Sequence, residues 1–162
     1  MARPKIGKMF SALARDSAGT SVMELGLTMP ILLMLLLGTI DASRMITTKI
    51  DMEQAAQRTT DYALAKRPDS GDGTYLQTEA ASAANVSASD VTVDIYLECD
   101  GVRQADFSTA CTAGQQQARY ASVAIDKPVD TIFDWGALSG VIGSRLLPST
   151  VTVQGDRVVR FQ

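Results

Sequence analysis

The chain is 162 residues long, with 15 Lys and Arg against 18 Asp and Glu, no His and two Cys. Its net charge of -3 offers no electrostatic footprint for nucleic acid, and the absence of imidazole removes the commonest general base and a common metal ligand. The length leaves room for one small soluble domain beside any membrane segment.

Residues 1–19 hold Arg3, Lys5, Lys8 and Arg15 against Asp16 alone. From Thr20 to Ile40 the chain is apolar, with Leu32-Leu33-Met34-Leu35-Leu36-Leu37 at its centre and Glu24 as its one charge before Asp41. At about 1.5 Å of rise per residue this run spans roughly 31 Å as a helix, the thickness of a bilayer's hydrocarbon core. It is longer than the roughly 7–15 apolar residues of a secretory signal. No small-residue cleavage site lies beyond it, only Asp41-Ala42-Ser43-Arg44. Residues 20–40 therefore read as a transmembrane helix. The basic residues before it place the N-terminus in the cytoplasm and the remainder in the periplasm.

Residues 41–67 lack Pro and Gly, and Met45, Met52, Ala56, Thr59 and Ala63 recur along one helical face. The helix is predicted to run over 20–67 as a periplasmic extension of the span, about 72 Å in all. Pro30 removes one of its backbone hydrogen bonds and predicts a kink or a locally melted segment. Pro68 ends it. Asp69-Ser70-Gly71-Asp72-Gly73 then reads as a loop; it has too few oxygen ligands for an EF-hand calcium site.

Residues 68–162 are predicted to form a small globular domain, which makes the whole chain α+β. Tyr75 to Asn85 is Ala-rich and reads as a short helix covering one face of the strands predicted C-terminal to it. Val91 to Glu98 alternates apolar and polar residues with β-branched enrichment, a half-buried strand. A second strand is predicted at Ala118 to Asp126, with Pro128 just beyond it. Ser149 to Phe161 reads as a hairpin, with strands at Thr150–Val153 and Val158–Phe161 and a turn at Gln154-Gly155-Asp156.

Between them, Val129 to Leu147 carries Ile132, Phe133, Trp135, Leu138, Val141, Ile142, Leu146 and Leu147. A domain this small needs its few aromatics inside, so the segment is expected to cover the core rather than offer a surface to a neighbouring subunit or the bilayer. Gly136, Gly140 and Gly143 argue against one stable helix there.

Cys99 and Cys111 lie in the exported part and read as a disulfide, which the oxidising side of the membrane permits. It would stabilise the fold by about 3 kcal/mol in the chain-entropy model, and the Asp100 to Ala110 loop it closes is expected to be a surface element rather than part of the scaffold. A metal site would need further ligands, and no His can supply them.

Gly19 precedes Glu24 by five residues, at the start of the apolar run. This spacing resembles the type IV prepilin processing site, and Gly19, Glu24, Pro30 and the Leu-rich tract together resemble the TadE/TadG-like minor pilins, or pseudopilins, of tight-adherence pilus systems. Thr20 stands where many type IV pilins have Phe or Met, and Leu25 where an aromatic is frequent; the Gly-to-Glu spacing is unaffected. The resemblance implies that a prepilin peptidase cuts between Gly19 and Thr20, and that Glu24 and Pro30 serve assembly. Without the leader's four basic residues and one acidic residue, 11 basic and 17 acidic residues remain, a net charge of -6.

It further implies a single-pass protein of the bacterial inner membrane that passes into the pilus. Its partners would be other pilins and minor pilins, the peptidase and the inner-membrane assembly platform. Its role would be to initiate assembly or to sit at the tip of an adhesive filament.

No nucleophile, acid/base pair or metal cluster presents itself, so neither an enzyme nor a cofactor is expected. Asp94 and Glu98 fall on one solvent face of an alternating strand. The alternative to a structural subunit is an uncleaved, signal-anchored periplasmic binding or adhesion module.

Overall fold

A computed structural model describes residues 17–142 and 148–162. The basic residues Arg3, Lys5, Lys8 and Arg15, together with Gly143, Leu146 and Leu147, lie outside the described residues. The chain divides between Ile40 and Asp41 into two compact units, and the helix α1 (Ser17–Ala65) contributes to each.

In the first unit every residue from Val22 to Leu36 is exposed. A side-chain surface this apolar is unfavourable in water and suits a lipid environment. Among the described residues, α1 is the one helix long and apolar enough to cross a membrane. Two hydroxyls of its apolar part are satisfied within the helix. Thr28 Oγ1 donates to the carbonyls of Glu24 and Leu25 at 3.1 and 3.2 Å, and Thr39 Oγ1 donates to Leu35 at 2.8 Å. Pro30 withholds the N–H that the Gly26 carbonyl would accept. Even so, α1 runs through Pro30 without a break, so the melted segment is not found.

The second unit is α+β. Helix α1 ends at Ala65, two residues short of the predicted Arg67, where the Lys66 N–H still reaches the Tyr62 carbonyl at 2.8 Å. Helix α2 (Thr74–Ala84) comes next and stops at Asn85, which adopts the left-handed conformation at φ 52°. A 3₁₀ turn (Ala88–Asp90) leads into β1 (Val91–Cys99). After β1 come β2 (Val102–Arg103), β3 (Gln117–Asp130), helix α3 (Trp135–Ile142) and β4 (Thr150–Arg160). The strands form one antiparallel sheet in the order β2-β1-β3-β4.

Alternation decides which face of the sheet is covered. Val91 and Ile95 of β1 stand opposite Ile125 and Ala121 of β3, and all four are buried. Over them lie Met52, Ala55 and Ala56 of α1 with Ala80, Ala81 and Ala84 of α2 in one cluster. Ala63, Leu76, Phe107 and Phe161 form a second. Of the α1 face predicted from Met45, Met52, Ala56, Thr59 and Ala63, the last four are buried and Met45 is half-buried. The small residues of this face let the helix axis approach the sheet. The opposite face carries the stacked pair Tyr96 and Tyr120, with the Arg103 guanidinium over Tyr96 and ion-paired to Asp94 at 2.7 Å.

Four sequence expectations are corrected. The Ser149 to Phe161 segment is one strand and has no turn; Gly155 sits mid-strand opposite Ile125. Strand β3 continues through Pro128 to Asp130. Beyond Ile125 it no longer pairs with β1, so a residue without an N–H is accommodated at a locally free edge. The loop between the cysteines is not merely a surface element. Its Phe107 is buried against Phe161, with the Arg119 guanidinium over its ring. Finally, Ile132, Phe133 and Trp135 of the 129–147 segment do not join the core: Ile132 is 57 % exposed, and Phe133 and Trp135 are half-buried outside both clusters, whereas Val129 of the same segment is buried. The side chains of Leu138, Val141 and Ile142 lie outside the described residues. Gly136 and Gly140 are nonetheless accommodated in α3.

Candidate functional site

Gly19 and Thr20 lie within α1, close to Ser17 where the helix starts. Glu24 is exposed four residues beyond Thr20, on the same helical face by the 3.6-residue repeat. Pro30 is exposed as well, six residues further on. These four positions thus line one short stretch of the first unit.

Cys99 and Cys111 are joined, with their Cα atoms 5.6 Å apart. The bond ties the end of β1 to the 104–116 loop, and the Asp100 side chain continues the tie by accepting the Gln116 N–H at 2.8 Å. Strand β2 went unread in the sequence although its signal was present. Asp100-Gly101 takes positive φ at both residues, 51° and 78°. That is the turn for which Asp-Gly is the preferred pair between hairpin strands.

The residue that sequence reasoning undervalued is Asp41. It is the first charged residue after Glu24, and its side chain is only 4 % exposed. Its Oδ1 accepts the Ile132 N–H at 2.8 Å, and its Oδ2 accepts the Phe133 N–H at 3.4 Å and the Trp135 indole N–H at 3.0 Å. These bonds hold its carboxyl below the ordinary value of 3.8, with the Ile132 N–H the largest contributor and Trp135 next. Burial opposes them. Arg44, a turn further along α1, adds a small favourable field and donates to the Asp130 carbonyl at 3.4 Å.

The segment Asp41 holds is itself well formed. Thr131 bonds Ser149 through its N–H at 3.0 Å and its hydroxyl at 3.1 Å. Asp134 caps α3 by accepting the Ala137 N–H at 3.0 Å. The Phe133 and Trp135 rings meet edge to face, 4.9 Å between centroids.

Both thiols are in the disulfide, and no group of three or more Cys, Asp or Glu among the described residues is placed to hold a metal ion.

Residues 19–61 match the family model of TadE-like proteins. The matched stretch opens on Gly19, takes in Thr20, Glu24, Pro30 and Asp41, and closes on the part of α1 that packs against the sheet. The chain is TadE-like over this segment, as the Gly19, Glu24 and Pro30 pattern implied. No curated protein and no solved structure matches the chain.

Proposed function

We propose that this chain, TadE-like over residues 19–61, is a minor pilin of a tight-adherence type IV pilus. It is held in the inner membrane by residues 20–40, with its leader in the cytoplasm and its disulfide-bonded domain in the periplasm, until it is drawn into the filament to initiate assembly or to occupy the tip. The observation that carries this reading is the start of the family match at Gly19, the residue after which a prepilin peptidase would cut.

The rest of the chain supports it. The exposed run from Val22 to Leu36 is a surface that lipid can cover before assembly and neighbouring helices afterwards. Glu24 on that run needs a partner once it leaves water, because an unpaired carboxylate in apolar surroundings costs about 2.5 kcal/mol or more. Cleavage supplies one, the new α-amino group of Thr20 on a neighbouring subunit. The chain's partners are accordingly other pilins, the peptidase and the assembly platform, and it carries out no catalysis of its own.

The test is the mass of the membrane-bound protein. Wild type should begin at Thr20, and Gly19→Val should retain the leader. A wild-type protein beginning at Met1 would instead favour the uncleaved, signal-anchored module.

A further inference from the structure

Asp41 stands one helical rise, about 1.5 Å, beyond Ile40, the last residue of the apolar run. Its carboxylate therefore marks the level at which the hydrocarbon ends, on the reading that residues 20–40 span the membrane. Three donors come to that carboxylate from Ile132, Phe133 and Trp135, so these residues lie within hydrogen-bond reach of the same level.

Their chemistry suits it. Ile132 is exposed, while Phe133 and Trp135 are half-buried and outside both core clusters. Trp135 spends its N–H on Asp41, leaving an apolar ring of the kind that settles among lipid headgroups. Helix α3, which starts at Trp135, contains no charged residue over Trp135–Ile142. Arg44 adds a cation one turn from Asp41 at headgroup height.

From this juxtaposition we propose that the Thr131–Trp135 turn and α3 form a foot that rests in the lipid interface of the membrane crossed by residues 20–40, with Asp41 as the clamp that fixes the foot to the helix at the point of exit. A second copy of the chain is a poorer occupant. Residues 131–142 are 12 positions, short of the roughly 20–30 residues a side of a stable protein interface. The coincidence of the patch with the end of the span also has no explanation in a protein contact. The foot must lift from the lipid when the subunit is extracted.

Trp135 is the sole tryptophan of the chain, so the full-length protein reports on its own foot. In phosphatidylcholine vesicles, Trp135 emission should be quenched more by lipids brominated near the headgroup than by lipids brominated near the chain ends. Ile132→Asp should lose most of that quenching while remaining in the vesicles after an alkaline wash. Wash-resistant protein whose emission neither lipid quenches would overturn the foot, as would shielding of Trp135 that grows with protein-to-lipid ratio without lipid quenching. Release by the wash would instead overturn the spanning reading on which the foot rests.

Discussion

Gly155 of β4 lies against the backbone of Met52 in α1 so closely that a Cβ built on it would clash with the Met52 carbonyl carbon and stand 2.7 Å from the Glu53 backbone nitrogen. This contact sets the spacing between helix and sheet, because the Met52 side chain is itself buried in the core cluster beneath. Gly155→Ala must push α1 away from β4 and should destabilise the globular unit by about 1–3 kcal/mol. Gly26→Ala meets nothing within 4 Å and provides the control. Denaturant unfolding of both variants in detergent, monitored by Trp135 emission, separates them; equal midpoints would show that β4 and α1 are not in contact.

The same glycine shows where sequence reading stops. Gln154-Gly155-Asp156 has turn chemistry, and nothing local distinguishes a turn glycine from one that admits a helix backbone approaching from about 100 residues away. Pro128 misled for a related reason: whether a proline ends a strand depends on whether the neighbouring strand reaches that far, and β1 does not. By contrast, the helix, the β1 alternation and the buried α1 face were legible because each is a periodicity carried by consecutive residues. Asp41 was visible only as the end of an apolar run. Its partners Ile132 and Trp135 are 91 and 94 positions away.

Asp41 should make the local structure at Trp135 acid-sensitive. Its folded-state pKa lies below the ordinary 3.8, so the stabilisation is fully present above that value and is lost as pH falls through the lower, folded-state value. Asp72 and Asp106 are displaced in the same direction by their bonds to Thr74 and Ser108 and add to global acid unfolding. Comparing Trp135 emission in wild type and Asp41→Asn separates the Asp41 contribution from global unfolding, which both share. Asp41→Asn should shift that emission at neutral pH and flatten its dependence below pH 3.8. An unchanged acid titration in the variant would show that the carboxylate does not hold the indole.

The Cys99–Cys111 bond should resist alkylation until reductant is added. Cys99→Ala/Cys111→Ala should lower stability by about 3 kcal/mol, and more if Phe107 leaves its place against Phe161 when its loop is released. Free thiols in protein isolated from the periplasm would exclude the bond.

Glu24 is expected to act in assembly and not in insertion. Glu24→Ala should still be cut after Gly19 and still resist extraction from the membrane, because its removal only makes the span more apolar. It should be missing from filaments, where the Thr20 amino group of a neighbour would lose its counter-charge. Normal incorporation of this variant would dismiss the pairing.

That the chain is a minor pilin is tested most directly by quantitative mass spectrometry of purified filaments. The expected result is a chain that begins at Thr20, retains its Cys99–Cys111 bond, and is present at a small fraction of the major subunit. Its absence from filaments that are otherwise intact, or an abundance equal to that of the major subunit along the shaft, would contradict the minor-pilin role.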